Sequence, residues 1–560
     1  MDRRTALTLI TASAALPLSG VRSYGSVLQA GGVAPGSLFN PRNFGAVGNG
    51  RMLDSRAINA AIDACTAAGG GVVYCSPGNY LCGTVELKSN VSLYLEAGAV
   101  LLGSTNLKDY TSKAGPDPTS DAGQLHLVYA RDATNVSLLG PGRIDGQGQS
   151  FWVLSNRQPT PTEKRWSDAR HSDFKPKPRV SPMVELVNCT NLHIESVEMI
   201  GASGWTMRPI NCTRVFIQGI AIRNPAIGPN TDGIDLTGCQ NVVISDCVID
   251  TGDDAICLKS ENPYGMTPRL AQNIAITNCI ITSSTTGFKI GTASQGGFEN
   301  ITFSNSTIVS TNPDLASRMI GGIAIEVVDG GWIEGLVISG IQINGARAPI
   351  FLRFGNRSNR FPSDRTGIRG VVIDGIHATE AILTSSITGL PGREVEDVRL
   401  SNIHIDTVMP GEKTWIASSV PEVPMAYPQA RMFGWLPASG LYCRHVRGLS
   451  LRDLTFTAPT REWRTTMLFD DVRQLSLDGF QTTPIIEGVP ALTLIGSGDA
   501  WITRASAPPQ SQAFVRIEGE PTADILISGC DLRGAEKLAD VSPEVRASTI
   551  RGEFNIAASA

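Results

Sequence analysis

Asn230-Thr231-Asp232 and Asp253-Asp254 place three carboxylates in two short polar segments. Asp232 and Asp253 are 21 residues apart, which is about one turn of a parallel β-solenoid. After such a turn a chain returns roughly 4.8 Å above itself, so residues distant in sequence stack at one place on the surface. Crowded carboxylates raise one another's pKa, and one can stay protonated while another stays ionised. A proton donor held beside a proton acceptor suits cleavage of a glycosidic bond. The plainer reading is that these acids cap strands at turns, where Asp and Asn are common.

The elements that would position them form a repeat. It reads Asn-Cys-Thr-Asn-Leu-His-Ile from Asn188 and Asn-Cys-Thr-Arg-Val-Phe-Ile from Asn211. It returns as Gly-Cys-Gln-Asn-Val-Val-Ile from Gly238 and Ala-Gln-Asn-Ile-Ala-Ile from Ala271. Looser copies start near Phe298, Ile333, Ile368, Val395, Val446, Val472 and Thr522, about 23 to 35 residues apart with two gaps near 50. Each unit alternates apolar and polar residues between Gly, Asn and Asp turns, which predicts strands. The expected fold is all-β: one right-handed parallel β-helix over residues 38–555, whose coils bury a continuous aliphatic core. Long loops are expected near 149–181 and 409–439, where solenoids often build a binding wall. Alternation persists to Ile550, so the region beyond Thr460 is expected to be more solenoid. The spacing of Ile58, Ala61, Ile62 and Cys65 predicts one helix over 55–67, with Ser55 as a cap, closing the solenoid's N-terminal end.

A net charge of −5 gives no electrostatic case for nucleic acid. The 11 cysteines include no CxxC pair, and the six histidines form no ligand motif, so neither a metal nor another cofactor is expected. Cys189, Cys212 and Cys239 fall at equivalent positions and suit a stacked core. A disulfide between neighbouring coils stays open. Residues 1–30 read as an export signal and linker: Arg3-Arg4 precedes a short apolar stretch, a twin-arginine-like pattern that implies a periplasmic or secreted bacterial protein. No later segment is long and apolar enough to span a membrane. A monomer is expected.

With these motifs in place, the chain resembles the pectin-lyase-like right-handed β-helices, and within them glycoside hydrolase family 28, the polygalacturonases and rhamnogalacturonan hydrolases. The specific match is Asn230-Thr231-Asp232-Gly233-Ile234-Asp235 with Thr251-Gly252-Asp253-Asp254-Ala255-Ile256-Cys257-Leu258-Lys259-Ser260. The resemblance implies Asp253 as general acid, and Asp232 with Asp254 as the pair that positions and deprotonates water, with inversion at the anomeric carbon. Asp235 and Asp250 are expected to be turn or supporting residues.

The family pattern breaks at two places. Thr286, in Thr285-Thr286-Gly287, stands where polygalacturonases carry the histidine of Gly-His-Gly. Ala324 and Glu326 stand where they carry the Arg and Lys that bind a substrate carboxylate. Lys259, Lys289 and Arg353 are candidate substrate-binding cations; Lys289 and Arg353 could equally be solvated charges, whereas Lys259 follows the Asp pair by five residues at a position common in the family and is the better candidate. Glu326 is a candidate hydroxyl acceptor, Asn230 a binding residue on the first motif, and Trp205 a platform for a sugar face if its indole is exposed. The leading expectation is an exported inverting hydrolase of an acidic plant-type polysaccharide, galacturonate- or rhamnogalacturonan-type. The alternatives are a non-catalytic carbohydrate-binding β-helix and a polysaccharide lyase on the same fold.

Overall fold

The computed structural model describes residues 38–557 apart from 112–124, 156–173, 262, 312–317, 418, 459–460, 484, 487 and 547–549. The segment read as an export signal lies outside the described residues, as do Lys164, Arg165 and Trp166 of the first long loop.

Every coil lays down strands that pair in parallel with their counterparts one coil away. Val184–Val187, Thr190–Glu195 and Glu198–Ile200 pair with Met207–Ile210, Thr213–Gln218 and Ala221–Arg223 of the next coil. The pattern repeats with Ile234–Thr237, Gln240–Ser245 and Val248–Thr251. Three parallel sheets therefore run the length of a right-handed β-helix. From Gly297 onward single long strands bend through two of the sheets, as in Gly297–Ser310, Trp332–Asn344 and Gly367–Ala381. Coils continue past Thr460 through Thr465–Thr482, Leu492–Ile495 and Ser511–Glu518.

The sequence dictates this through its alternation and its turns. Inward positions such as Leu192, Ile194, Val215, Ile217, Val242 and Ile244 are buried and stack on their equivalents. The recurrent Asn sits in the left-handed region, with φ 60 at Asn191, 58 at Asn241 and 57 at Asn273. Asn tolerates that conformation at modest cost. Its amide then donates to the Asn of the coil below, Asn191 to Asn135 at 2.8 Å and Asn273 to Asn241 at 3.0 Å. All eleven cysteines are buried free thiols. The Cys212 thiol donates to the Leu186 carbonyl at 3.2 Å, a core thiol bonded to backbone across the coils.

The helix forms at Ser55–Ala67 as its periodicity requires and buries Ala57, Ile58, Ala61, Ile62 and Cys65 against the first coils. Ser55 is not its cap: Asp54 occupies that position without a capping side-chain bond. The Asp54 carboxylate instead accepts from the Val47 and Gly48 amides at 2.7 and 2.9 Å. Two peptide N–H groups of an approaching turn outcompete the helix's own first amides for that carboxylate.

Candidate active site

The acidic motifs lie at the start of two strands of one sheet, Ile234–Thr237 and Ile256–Ser260. Ile234 is in register with Ile256, which stacks Asp232 on Asp254 rather than on Asp253. The Gly233 amide donates to the Asp254 carbonyl at 2.9 Å and carries that register into the turn. Asp253 therefore stands one residue off the stack. Its carbonyl accepts from the Thr251 and Ser283 hydroxyls at 2.6 and 2.8 Å, which fixes the turn. The Thr231 hydroxyl donates to the Gly228 carbonyl at 3.0 Å and accepts from the Gly252 amide at 3.1 Å, locking the two acidic turns together. A Cβ at Gly252 would meet the Gly228 oxygen and the Thr231 hydroxyl at 2.6 Å, so only glycine fits there.

One carboxylate oxygen from each of Asp232, Asp253 and Asp254 lies within 4.8 Å of the others. Asp232 and Asp254 are buried and Asp253 is half-buried, so Asp253 is the most exposed of the three. Burial pushes Asp232 well above the carboxylate range, and the charges of Asp253, Asp235 and Asp254 push it further. Asp254 is shifted the other way. Burial opposes its ionisation, but Lys289 and Lys259, with the Thr286 hydroxyl, outweigh it and hold the pKa below its ordinary value. The two stacked aspartates are thus shifted in opposite directions.

Lys289 makes that split. It is in register with Cys257 on the next coil, and its Nζ lies 2.9 Å from Asp254 Oδ2 and 3.7 Å from Glu326 Oε2. Lys259 Nζ lies 3.2 Å from Asp235 Oδ1 and 3.3 Å from Cys257 Sγ. Burial pushes Asp235 up to about 6 against the pull of Lys259. Burial also pushes Glu326 up to about 7, tempered by Lys289, and the Thr292 hydroxyl donates to it at 3.2 Å.

Glu326→Gln is expected to raise the unfolding temperature at pH 8, with the gain vanishing near pH 5. An acid whose pKa rises from 4.5 to about 7 on folding stabilises the fold fully below the lower value. That contribution is lost as pH rises through about 7. Thermal unfolding of both proteins across pH 5–8 checks this, and a constant difference would contradict it.

The structure brings Asp232, Asp253, Asp254, Lys259, Lys289 and Glu326 into one cluster and gives three other expected binding residues partners within the protein. Arg353 follows Glu326 by one coil but donates to the Gly389 and Glu422 carbonyls at 3.1 and 2.6 Å, and burial lowers its pKa to about 10. The acceptors are backbone oxygens that a sequence pattern does not reveal. Trp205 is only 7% exposed, and the exposed-indole alternative is overturned. Its ring carries Lys259 at 4.8 Å and Arg208 at 5.2 Å instead of a sugar. Asn230 is a left-handed turn residue, φ 54, whose amide oxygen accepts from Arg179 at 3.3 Å. Arg179 also donates to the Ser203 and Pro229 carbonyls at 3.0 and 2.9 Å, so the end of the first long loop ties down the Asp232 turn.

Two features escaped the sequence reading. One is a buried Arg208–Glu185 pair at 2.8 and 3.0 Å, one coil before Asp235, with the Tyr264 hydroxyl bonded to both. Outward polar positions recurring one coil apart were its only signal. The other is the placement of Tyr427, one of the aromatic residues of the second long loop and 55% exposed: its hydroxyl lies 3.1 Å from that of Thr292 and its ring 5.8 Å from Lys289 Nζ.

The sequence profile of glycosyl hydrolases family 28 matches residues 72–426. The chain belongs to this family. A probable polygalacturonase of Vitis vinifera is 25% identical over 397 residues, 68% of this chain and 76% of that protein. An endo-polygalacturonase of Pectobacterium carotovorum subsp. carotovorum is 26% identical over 284 residues, 49% of this chain and 64% of that protein. Among solved structures, an exopolygalacturonase from Thermotoga maritima superposes with a TM-score of 0.53 at 23% identity, covering 67% of this chain and 89% of that one. This family member is a glycosidase of the pectic class, and its parallel β-helix is the one expected from the repeat. Among the described residues no helix is long and apolar enough to cross a membrane.

Proposed function

We propose that this enzyme is an exported hydrolase of a pectic polysaccharide other than plain polygalacturonate, of the rhamnogalacturonan type, and that three aspartates carry out an inverting cleavage. The observation that carries the reading is the convergence of Asp232, Asp254 and the more exposed Asp253 within 4.8 Å, with Lys289 Nζ 2.9 Å from Asp254. Asp253 protonates the leaving oxygen. Asp254, kept anionic by Lys289, takes the proton of a water that Asp232 helps to orient. These oxygens are closer than the roughly 6.5–9.5 Å usual for inverting pairs. A water held by two stacked carboxylates and attacking past the third accounts for the shorter spacing.

The substrate class follows from charge. Lys289 is neutralised by Asp254 and Glu326, and Lys259 by Asp235. Ala324 and Glu326 supply no cation for a uronate at the position where polygalacturonases are expected to bind one. A buried carboxyl beside the reacting acids suits a sugar that offers hydroxyls. A calcium-dependent elimination would need these acids for the ion, and two ammonium groups already stand among them.

Product chemistry on rhamnogalacturonan tests the reading. New reducing ends without ultraviolet absorbance are expected. Absorbing, unsaturated products would make the enzyme a lyase, and binding without any product would make it a carbohydrate-binding β-helix.

A further inference from the structure

We propose that His377, His404 and Asp406 form a binding site for a borderline divalent cation, Zn²⁺ foremost, on a sheet that does not carry the acidic cluster. His377 and His404 occupy in-register positions on the adjacent strands Gly367–Ala381 and Val395–Thr407. Parallel pairing therefore stacks the two imidazoles, with centroids 5.0 Å apart and planes 18° from parallel. Asp406 follows His404 by two residues and so points from the same face of its strand. Its Oδ1 lies 2.9 Å from His404 Nε2. One donor atom from each of the three residues lies within 4.8 Å of the others.

The surroundings prepare these groups for coordination. His377 Nδ1 lies 3.1 Å from Gln342 Oε1, the outward residue one coil below. Since that oxygen can only accept, Nδ1 carries the proton and the Nε2 lone pair is left for a ligand. A hydrogen bond to the ring nitrogen opposite the metal is the usual support of a coordinating imidazole. The Thr457 hydroxyl of the next coil donates to Asp406 and fixes the carboxylate. An ion about 2.0–2.2 Å from each donor needs donor pairs near 3.5 Å. The exposed His377 side chain can rotate to close that distance. Two imidazoles and one carboxylate select Zn²⁺, Ni²⁺ or Cu²⁺ over Ca²⁺ and Mg²⁺. The ion would replace the proton shared by His404 and Asp406 and join two coils at their outer face.

Isothermal titration of the full chain with ZnCl2 at pH 7.5, in excess CaCl2 to occupy all-oxygen sites, tests the proposal. One equivalent is expected to bind the wild type, with affinity at least ten-fold weaker in His404→Gln and in His377→Gln. A rise in melting temperature with Zn²⁺ is expected in the wild type and not in either variant. Glycosidase activity should be unchanged in both. Absence of Zn²⁺ binding to the wild type would overturn the proposal. So would equal binding by the wild type and both variants, or binding lost in Asp253→Asn and kept in the histidine variants.

Discussion

Asp253→Asn is expected to lower kcat by about 10²–10⁴-fold, the usual contribution of a positioned general acid, with little change in KM. Asparagine keeps the oxygen that accepts the Asp254 amide at 2.9 Å, and the turn is held through the Asp253 carbonyl, so the variant should fold. Its melting temperature should equal or exceed that of the wild type. Asp253 is one of the charges that push Asp232 up, and removing it relieves repulsion in a buried site. Steady-state kinetics with thermal unfolding separates the two effects. Near-full activity on the true substrate would remove Asp253 from the mechanism.

Lys289→Met is expected to lower activity at pH 5 by about 10²-fold and to move the acid limb of the pH–rate profile upward. Asp254 stays ionised because Lys289 lies 2.9 Å away, against a burial term of opposite sign. Without the ammonium, burial prevails, Asp254 takes up a proton and the base is lost. Stability moves with it. In the wild type the lowered pKa of Asp254 stabilises the fold above 3.8, and this is lost as pH falls through the lower folded value. In the variant Asp254 becomes a raised acid and Glu326, already raised, loses the charge that tempers it, so stability should fall as pH rises toward neutral. The cost near pH 7 is about 3–5 kcal/mol, that of breaking a buried pair. It should shrink at pH 5 as the acids protonate. Lys289→Met/Glu326→Gln should recover part of the stability without recovering activity. A pH–rate profile unchanged in Lys289→Met would show that Asp254 does not depend on this lysine.

The fold was legible because its signals are local and repeated. Period-2 alternation fixes which residues point inward, and the recurrent Asn marks a left-handed turn. Asp232, Asp253 and Asp254 were legible for the same reason, since a solenoid turns spacing in sequence into proximity. The register was not. A spacing of 21 residues suggested Asp232 on Asp253, whereas strand pairing stacks it on Asp254. That single residue decides which two acids stack and which stands beside them. The partners of Arg353 and Trp205, a loop's carbonyls and the charges of Lys259 and Arg208, were not legible, because periodicity reveals none of them. Glu326 stood out in sequence as an acid in place of a substrate-binding cation and as a candidate hydroxyl acceptor. In the fold it shares Lys289 with Asp254, and the broken motif becomes part of the charge balance of the site.

Reducing-end release from rhamnogalacturonan and from polygalacturonate, measured in parallel near pH 5 for the wild type and Asp253→Asn, tests both the three-aspartate mechanism and the choice of substrate. Release from rhamnogalacturonan is expected, with little from polygalacturonate and near-complete loss of the former in Asp253→Asn. Efficient release from polygalacturonate by the wild type would contradict the reading of Ala324 and Glu326, and release that survives Asp253→Asn would contradict the three-aspartate mechanism.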